Sequence, residues 1–327
     1  MSDATFNESA AHAGRLAHFP VSLFAIVMGT AGLAIAWMKA HHALGAPVEI
    51  TQLLRWVASA LYLFLLAMYA AKLVRHPAEV AAERRHPVRL NFFPAISIGL
   101  ILLAIAWAPD APAAASWMWR IGAALQLAFT LYVMSSWLHH THYVIQHANP
   151  AWFIPVVGNI LVPIVGVRFA PADVSWFFFS IGLVFWIVLM TLVLYRLFFH
   201  EPLPARLAPT LFILIAPPAV GFLSYVALSG EVDAFARILY FCALFLTLLL
   251  ASNALRFFRL PFFISAWAYS FPLAAMTIAT FEMGVRTGQG FYGVLALALL
   301  AVITLVLVAL VTKTVQAALH GRICVPE

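Results

Sequence analysis

Residues 267–280 read WAYSFPLAAMTIAT and lie in a stretch without charge that runs from Leu260 to Phe281. A stretch of about 20 apolar residues is long enough to cross a bilayer as a helix. A proline in a helix interior costs about 3 kcal/mol, because it lacks an N–H and its ring collides with the carbonyl four residues back. In a bilayer, the carbonyl freed by Pro272 must find a partner in protein or in a watery cavity. The segment therefore predicts a kinked helix in the interior of a membrane bundle.

The rest of the chain has the same apolar character. Its 327 residues are 65% hydrophobic and 9% charged, with a mean hydropathy of +0.99, whereas about a quarter of the residues of a soluble domain are charged. Ten apolar runs are long enough to span a membrane as whole or broken helices. Numbered spans 1 to 10, they lie approximately at 19–39, 53–73, 91–108, 117–138, 152–167, 174–199, 207–229, 235–255, 260–281 and 291–312. We predict an all-α polytopic membrane protein without a soluble catalytic domain, and hence not an enzyme.

The predicted organisation is a leader at 1–18, a transmembrane domain at 19–319 and a tail at 320–327. Span 1 is predicted to be an uncleaved helix, because Arg15 is the only basic residue before it other than histidine, which is weak for a signal peptide. The two cysteines, Cys242 and Cys324, have no metal-binding or redox spacing, so we predict no cofactor. Histidines 139, 140, 142 and 147, in HHTHYVIQH, are predicted to lie at the membrane interface, with a metal site as the alternative.

The net charge of +6 is explained by membrane topology rather than by nucleic-acid binding. With ten spans, both termini lie on one side, and that side holds 12 of the 18 Lys and Arg residues. Cytoplasmic loops of membrane proteins carry such an excess of basic residues. The leader and the tail are therefore predicted to be cytoplasmic.

Prolines separate the odd spans from the even ones. All nine prolines within the predicted spans fall in odd spans: Pro20, Pro94, Pro155, Pro163, Pro209, Pro217, Pro218, Pro261 and Pro272. Kinked helices belong inside a bundle, where freed backbone groups find partners, and even spans suit the lipid-facing outside. Each odd span starts with an aromatic-rich or proline-bearing segment, so the spans form five parallel hairpin repeats around an axis along the membrane normal. Five odd helices around such an axis predict a central pore.

No Asp, Glu, Lys or Arg lies in the interior of a predicted odd span. Ionisable residues within a membrane usually mark proton relays and strong ion sites. Their absence argues against a proton-coupled pump and against tight binding of a dianion, and it favours a passive path with hydrophobic constrictions. An uncharged lumen does not by itself select the sign of the permeant ion.

Four segments resemble the tellurite-resistance/dicarboxylate-transporter family, which includes bacterial TehA and the plant slow anion channels. They are HFPVSLFAIVMGTAGLAIAW, LAMYAAKLVRHPAEVAAERRHPVRL, APPAVGFLSYVALSGEVDAFARILY and SAWAYSFPLAAMTIAT. The resemblance implies ten helices as five hairpins with quasi-fivefold symmetry, a homotrimer in the bacterial inner membrane, and conduction of small anions. It also implies a gate on the ninth helix, where the matching residue is Phe271. One departure is that Ser22 and Ala25 replace the two glycines of the family pattern FPxGxFG.

The candidate site residues follow from the proline pattern and from this resemblance. Phe271 is the candidate gate, and the candidate pore-lining or kink residues are Phe19, Pro20, Phe24, Ala25, Pro94, Pro155, Pro163, Pro217, Pro218 and Pro272. The predicted function is an anion channel. The alternative is a secondary transporter or efflux protein for dicarboxylates or tellurite-type oxyanions, and a third hypothesis is a sensor with a closed lumen. A transporter saturates and a coupled one responds to a pH gradient, whereas a channel carries currents that follow the anion gradient.

Overall fold

The computed structural model describes residues 14–139 and 143–324, and these are helical apart from short connectors. Nine helices in this part of the chain are long and apolar enough to cross a membrane: span 1 (Val21–Leu44), span 2 (Val48–Arg75), span 3 (Arg89–Trp107), span 4 (Pro112–His139), span 6 (Ala172–Phe199), span 7 (Ala208–Ser229), span 8 (Ala234–Ala251), span 9 (Ile264–Thr287) and span 10 (Gly290–Leu319). Span 5 (Pro150–Gly166) is shorter and consists of four short helical pieces. The prediction of an all-helical polytopic membrane protein is confirmed.

The odd spans begin differently from the even spans. Each odd span starts with a turn of 3₁₀ helix before it continues as α-helix: Val21–Leu23, Arg89–Phe92, Pro150–Trp152, Ala208–Ile215 and Ile264–Tyr269. The even spans are continuous α-helices. Their one proline, Pro112, is the first residue of span 4, where the missing N–H would have no partner within the helix anyway.

The prolines of the odd spans lie where the α-helices start, and this corrects the sequence-based interpretation of Pro272. The α-helix of span 9 begins at Ser270, so Pro272 is its third residue rather than an interruption of its middle. Pro217 is likewise the second residue of its α-helix, and Pro163 the first. The first turn of a helix has free N–H groups, so proline costs little there. The irregularity in span 9 is therefore the change from 3₁₀ to α geometry at Ser270.

The five odd spans form a closed ring. Spans 1, 3, 5, 7 and 9 contact one another in this order, and span 9 packs against span 1. In the most apolar window of each long odd span, 61–78% of the residues are buried, against 28–39% in the even spans. The odd spans are thus the interior of the bundle and the even spans its outside. Quasi-fivefold symmetry stays a prediction.

Spans 9 and 1 approach each other closely at small residues. A Cβ atom at Gly29 would lie 2.1 Å from Ser270 Oγ, and a Cβ atom at Gly32 would lie 3.0 Å from the Cβ of Ala274. Real Cβ atoms essentially never make the first contact, so Gly29 is required by the close approach of the two helices. The space that the small residues of WAYSFPLAAMTIAT leave is therefore filled by span 1.

The break in span 5 is stabilised by side chains of its neighbours. The carbonyl oxygen of Pro155 accepts hydrogen bonds from Gln126 Nε2 (2.9 Å) and Thr130 Oγ1 (2.7 Å). The carbonyl oxygen of Val162 accepts one from Trp119 Nε1 (2.8 Å). The carbonyl oxygen of Ile160 accepts one from Ser224 Oγ. These donors belong to spans 4 and 7. A broken helix is tolerated in a membrane only where protein or water satisfies the freed carbonyls. Spans 4 and 7 supply that protein environment here.

Candidate functional site

Three adjoining cavities lie within the ring of odd spans and at its ends. The vestibule has a volume of about 790 Å³, the neck about 70 Å³ and the distal cavity about 310 Å³. The vestibule and the neck share the lining residues Ser22, Phe92, Ile264 and Ser265. The neck and the distal cavity share Leu161, Val220 and Phe271. Each cavity therefore borders the next, and the smallest lies in the middle; we call this row of three cavities the path.

The neck is lined by all five odd spans and is apolar. Among its lining residues, all of which the structure describes, the only side chains with a polar group besides Trp267 are Ser22 and Ser265, at the border with the vestibule. The Trp267 indole N–H donates to Thr314 Oγ1 of span 10 (2.9 Å) and so faces away from the neck. An apolar constriction of this size loses its water readily. The neck therefore offers an ion no charged side chain to bind.

Phe271 lies at the junction of the neck and the distal cavity. Its side chain is buried, with 8% of the residue exposed, and it borders one cavity on each side. The ring rests on span 1, since a Cβ atom at Gly32 would lie 3.4 Å from Phe271 Cδ2. Leu161 of span 5 and Val220 of span 7 complete the junction. A phenylalanine between two cavities is less fully packed than one in a closed core.

The vestibule lies at the end of the ring that carries both ends of the described chain. Ala17 and Cys324 both line it. Its charged lining residues are five basic and two acidic: Lys72, Arg89, Arg206, Lys313 and Arg322, with Glu79 and Glu83. We call this the terminal end of the ring and the opposite one the distal end. The excess of basic residues gives the vestibule a positive potential.

A buried ion pair fixes the start of span 1 at the vestibule. Lys72 is 2% exposed and Glu83 3%, and Lys72 Nζ lies 2.9 Å from Glu83 Oε2. Lys72 Nζ also donates a hydrogen bond to the Phe19 carbonyl (2.8 Å). The Glu83 carboxylate accepts two more, from the Tyr69 hydroxyl at Oε2 (2.7 Å) and from the Val21 N–H at Oε1 (3.3 Å). Buried charges are tolerated when they are paired and hydrogen-bonded in this way.

We expect Lys72→Met to lower the stability of the protein by about 3–5 kcal/mol, because it leaves the Glu83 carboxylate buried without its counter-charge. The midpoint of thermal unfolding in detergent measures the loss. Adding Glu83→Gln to this variant should restore part of the stability, since it removes the unpaired charge. Arg75→Met is the matched control, because Arg75 is exposed and lies in the last turn of the same helix. Equal losses in Lys72→Met and Arg75→Met would contradict a role for the buried pair.

The distal cavity is also basic. Its charged lining residues are Lys39, Arg168, Arg286 and Glu282. Lys39 Nζ lies 2.6 Å from Glu282 Oε2, and Arg286 Nε lies 2.6 Å from Glu282 Oε1. The sequence-based interpretation placed Lys39, Arg168 and Arg286 on the side of the membrane opposite the termini and did not assign them to the path; it ended spans 1 and 9 at 39 and 281. The helices continue to Leu44 and Thr287. The charges therefore extend into the distal mouth of the path.

The structure separates the candidate site residues into two groups. Phe271, Ala25, Pro217 and Pro272 line the neck, and Pro20 lines the vestibule. The others line none of these three cavities: Phe19, Phe24, Pro94, Pro155, Pro163 and Pro218.

Phe24 faces span 2 rather than the path. Its ring is fully buried and meets the edges of Tyr62 (centroids 6.0 Å apart) and Tyr69 (6.4 Å). Successive residues of an α-helix point about 100° apart, so Phe24 and its neighbour Ala25 cannot both face the lumen. The Phe19 ring is buried as well, and the carbonyl of Phe19 accepts from Lys72.

The histidine cluster is only partly within the described residues. His140 and His142 lie outside them. His139 Nδ1 lies 2.9 Å from Ser135 O, and His147 Nδ1 accepts from the Val144 N–H (3.4 Å). In the two ranges that the structure covers, no group of three or more His, Cys, Asp or Glu side chains is arranged to hold a metal ion. Burial raises the pKa of the Cys324 thiol, which favours its protonated form.

Comparisons with known proteins point to one family over nearly the whole chain. A family model described as "SLAC1: Voltage-dependent anion channel" matches residues 18–315. Similar proteins include the S-type anion channel SLAH3 of Arabidopsis thaliana, 30% identical over 92% of this chain and 48% of its own length. The tellurite resistance protein TehA homolog of Haemophilus influenzae is 29% identical over 79% of each chain. An uncharacterized transporter of Methanocaldococcus jannaschii, MJ0762, is 26% identical over 85% of this chain and 91% of its own. The chain spans about half the length of SLAH3.

Proposed function

The chain belongs to the SLAC1 family of voltage-dependent anion channels, and we propose that it conducts small inorganic anions passively along the path from the vestibule through the neck to the distal cavity. The path is closed at Phe271 in the described conformation. No chemical step and no coupled ion is part of this function, and the bilayer is the only environment that it requires.

The observation that carries the proposal is the position of Phe271 between two cavities. Its ring borders the neck, of about 70 Å³, on one side and the distal cavity, of about 310 Å³, on the other. The neck is apolar and opens at its other end toward the vestibule, of about 790 Å³. A hydrophobic constriction between two wet cavities gates conduction by excluding water. The Phe271 ring lies where such a constriction meets the distal cavity, which supports its role as the gate.

The charges along the path support an anion as the permeant species. Basic residues outnumber acidic ones in the vestibule and in the distal cavity, so both mouths concentrate anions. The neck between them has no charged lining residue among those described. Conduction needs binding that is weak enough for the ion to leave, and tight binding of a dianion would need a desolvated Arg. These features support a channel for small anions rather than a transporter of dicarboxylates or tellurite-type oxyanions.

Currents of the purified protein in planar bilayers test this function. We expect the reversal potential to follow the chloride gradient and to be insensitive to a proton gradient. The Phe271→Ala protein should be measured in parallel, since a closed wild-type path carries little current. Flux that saturates at low concentration and follows the proton gradient would instead indicate a coupled transporter.

The orientation and assembly of the protein form part of the same proposal. The terminal end of the ring carries most of the basic residues, so we place it in the cytoplasm, in accordance with the positive-inside rule. The lipid-exposed faces of the even spans leave room for neighbouring copies, and we propose a homotrimer in the inner membrane with one path in each protomer.

A cysteine at position 82 tests the orientation. Ala82 is exposed on the short helix Pro77–Arg85 at the terminal end. In a protein with Cys242 and Cys324 replaced by alanine, we expect Ala82→Cys to resist a membrane-impermeant thiol reagent in intact cells and to react after permeabilisation. Ala113→Cys, exposed at the distal start of span 4, is the matched control and should react in intact cells. The reverse pattern would invert the topology.

A further inference from the structure

The basic residues of the distal cavity differ in whether they are paired with a carboxylate, and an unpaired one is better able to bind an anion. Two of its three basic residues are already engaged. Lys39 occupies one carboxylate oxygen of Glu282 and Arg286 occupies the other, each at 2.6 Å. Arg286 Nη1 also donates to the Gly230 carbonyl (2.7 Å). This network joins spans 1 and 9 to the connector after span 7 and uses much of the hydrogen-bonding capacity of its cations.

Arg168 is the third basic residue and has no such partner. Within residues 14–139 and 143–324, no acidic group lies within 4 Å of its guanidinium, and its side chain makes no hydrogen bond. It follows directly on the broken span 5 and contributes to the lining of the distal cavity. A guanidinium stays charged at every physiological pH. The cavity therefore contains a full positive charge that no group of the described chain neutralises.

The backbone that carries Arg168 is held in place. The Arg168 N–H donates to Val165 O (3.0 Å), and the N–H groups of Phe169 and Ala170 both donate to Gly166 O (2.9 and 3.0 Å). The carbonyl of Phe169 accepts from Arg120 of span 4 (3.4 Å). A turn anchored in this way fixes the base of the arginine side chain at the mouth of the cavity. Only the long side chain itself is free to meet an incoming ion.

We propose that Arg168 binds a single small monovalent anion in the distal cavity and thereby sets the rate at which anions reach Phe271 from that side. This inference rests on the proposed channel function and deepens it, because it assigns an entry site and its ligand. A single guanidinium without an acidic partner can balance the charge of one monovalent anion. A dianion would need a second cation that is not already paired with a carboxylate. The site is weak, since the guanidinium stays in contact with water, and weak binding is what conduction requires.

The test compares Arg168→Gln with Arg237→Gln, both in the Phe271→Ala protein, in planar bilayers. Arg237 is the matched control, because it is an exposed arginine at the distal end that lines none of the three cavities. At about 10 mM chloride, where charges act over about 30 Å, we expect Arg168→Gln to lower chloride current entering from the distal side roughly threefold. At about 1 M chloride, where the screening length is about 3 Å, the difference should vanish. Current entering from the vestibule should change less.

An equal fall of current in Arg168→Gln and Arg237→Gln would overturn the inference, because it would reflect the overall charge of the distal face. So would a fall in Arg168→Gln that persists at about 1 M chloride. Chloride NMR linewidths of the detergent-solubilised proteins give a measurement that does not depend on conduction. With Phe271 intact, Arg168→Gln should lose line broadening that Arg237→Gln retains, and the same broadening in both variants would overturn the site. If Phe271→Ala carries no current, Phe271 is not the gate, and the chloride linewidth alone decides the anion site.

Discussion

Phe271→Ala is expected to raise the anion current strongly, by about tenfold or more. Truncating the ring joins the neck to the distal cavity and allows water to enter the junction. Every 1.4 kcal/mol removed from a barrier speeds passage about tenfold, and filling a dry apolar constriction with water removes a barrier of that kind. Single-channel or macroscopic currents of the purified protein in planar bilayers, compared with wild type at the same protein density, measure the effect.

Phe271→Leu distinguishes a gate from a packing residue. A branched aliphatic side chain still fills part of the junction, so this variant should show a smaller rise than Phe271→Ala. The stability of both variants should stay close to that of wild type, because the ring borders a cavity on each side. Phe281 of the same span is the matched control, since it is 2% exposed and lines none of the three cavities. Its alanine variant should lose about 3–5 kcal/mol without a gain of current.

The opposite outcome for Phe271→Ala would refute the gate. A silent protein whose unfolding temperature falls as far as that of Phe281→Ala would assign the ring to core packing. A stable but silent Phe271→Ala would place the closure elsewhere in the neck, and the remaining candidates would be Leu161 and Val220, which line the same junction.

Ala25→Asp should suppress anion current almost completely when it is combined with Phe271→Ala. Ala25 lines the neck, so a carboxylate at this position repels anions at the narrowest part of the path. Apolar surroundings raise the pKa of a carboxyl group. The block should therefore deepen as the pH rises through that raised pKa and the group becomes ionised. Currents recorded over a range of pH test the sign of this effect.

Two controls isolate the charge at position 25. Ala25→Asn introduces a side chain of the same size without charge, and its current should not depend on pH in this way. Leu305→Asp places a carboxyl group on the exposed face of span 10, where 70% of the residue is accessible. That charge faces lipid, so it should impair insertion by roughly 2.5–3.5 kcal/mol. If Ala25→Asp and Ala25→Asn carried equal currents at every pH, Ala25 would not border the ion path.

The division into odd and even spans was accessible from the sequence, because prolines concentrate where helices begin inside a protein. The exact position of the irregularity in span 9 was not. Pro272 falls at the start of an α-helix, and the preceding residues take 3₁₀ geometry that hydrophobicity does not reveal. The packing of Phe24 against Tyr62 and Tyr69 of span 2 was not visible for a related reason. An odd span is apolar on every side, so its sequence does not indicate which face meets the lumen.

The basic residues of the distal mouth illustrate a second limit. The sequence contains all three basic residues of this mouth, Lys39, Arg168 and Arg286. They were used only to assign the ends of the helices to one side of the membrane or the other. Their convergence on one cavity depends on how the ring closes, which brings distant parts of the chain together. Leu161 and Val220 were missed for the same reason, since nothing in an apolar run marks two of its members as neighbours of Phe271.

The side-chain donors that satisfy span 5 constrain how the protein is made. One acceptor, Pro155 O, is served by span 4, which the ribosome produces earlier, whereas Ile160 O is served by Ser224 of span 7, which emerges later. An uncompensated carbonyl in hydrocarbon costs several kcal/mol. Span 5 therefore cannot complete its membrane insertion in the order of synthesis. We expect span 5 to settle in the membrane only after Ser224, 64 residues beyond Ile160, has been synthesised.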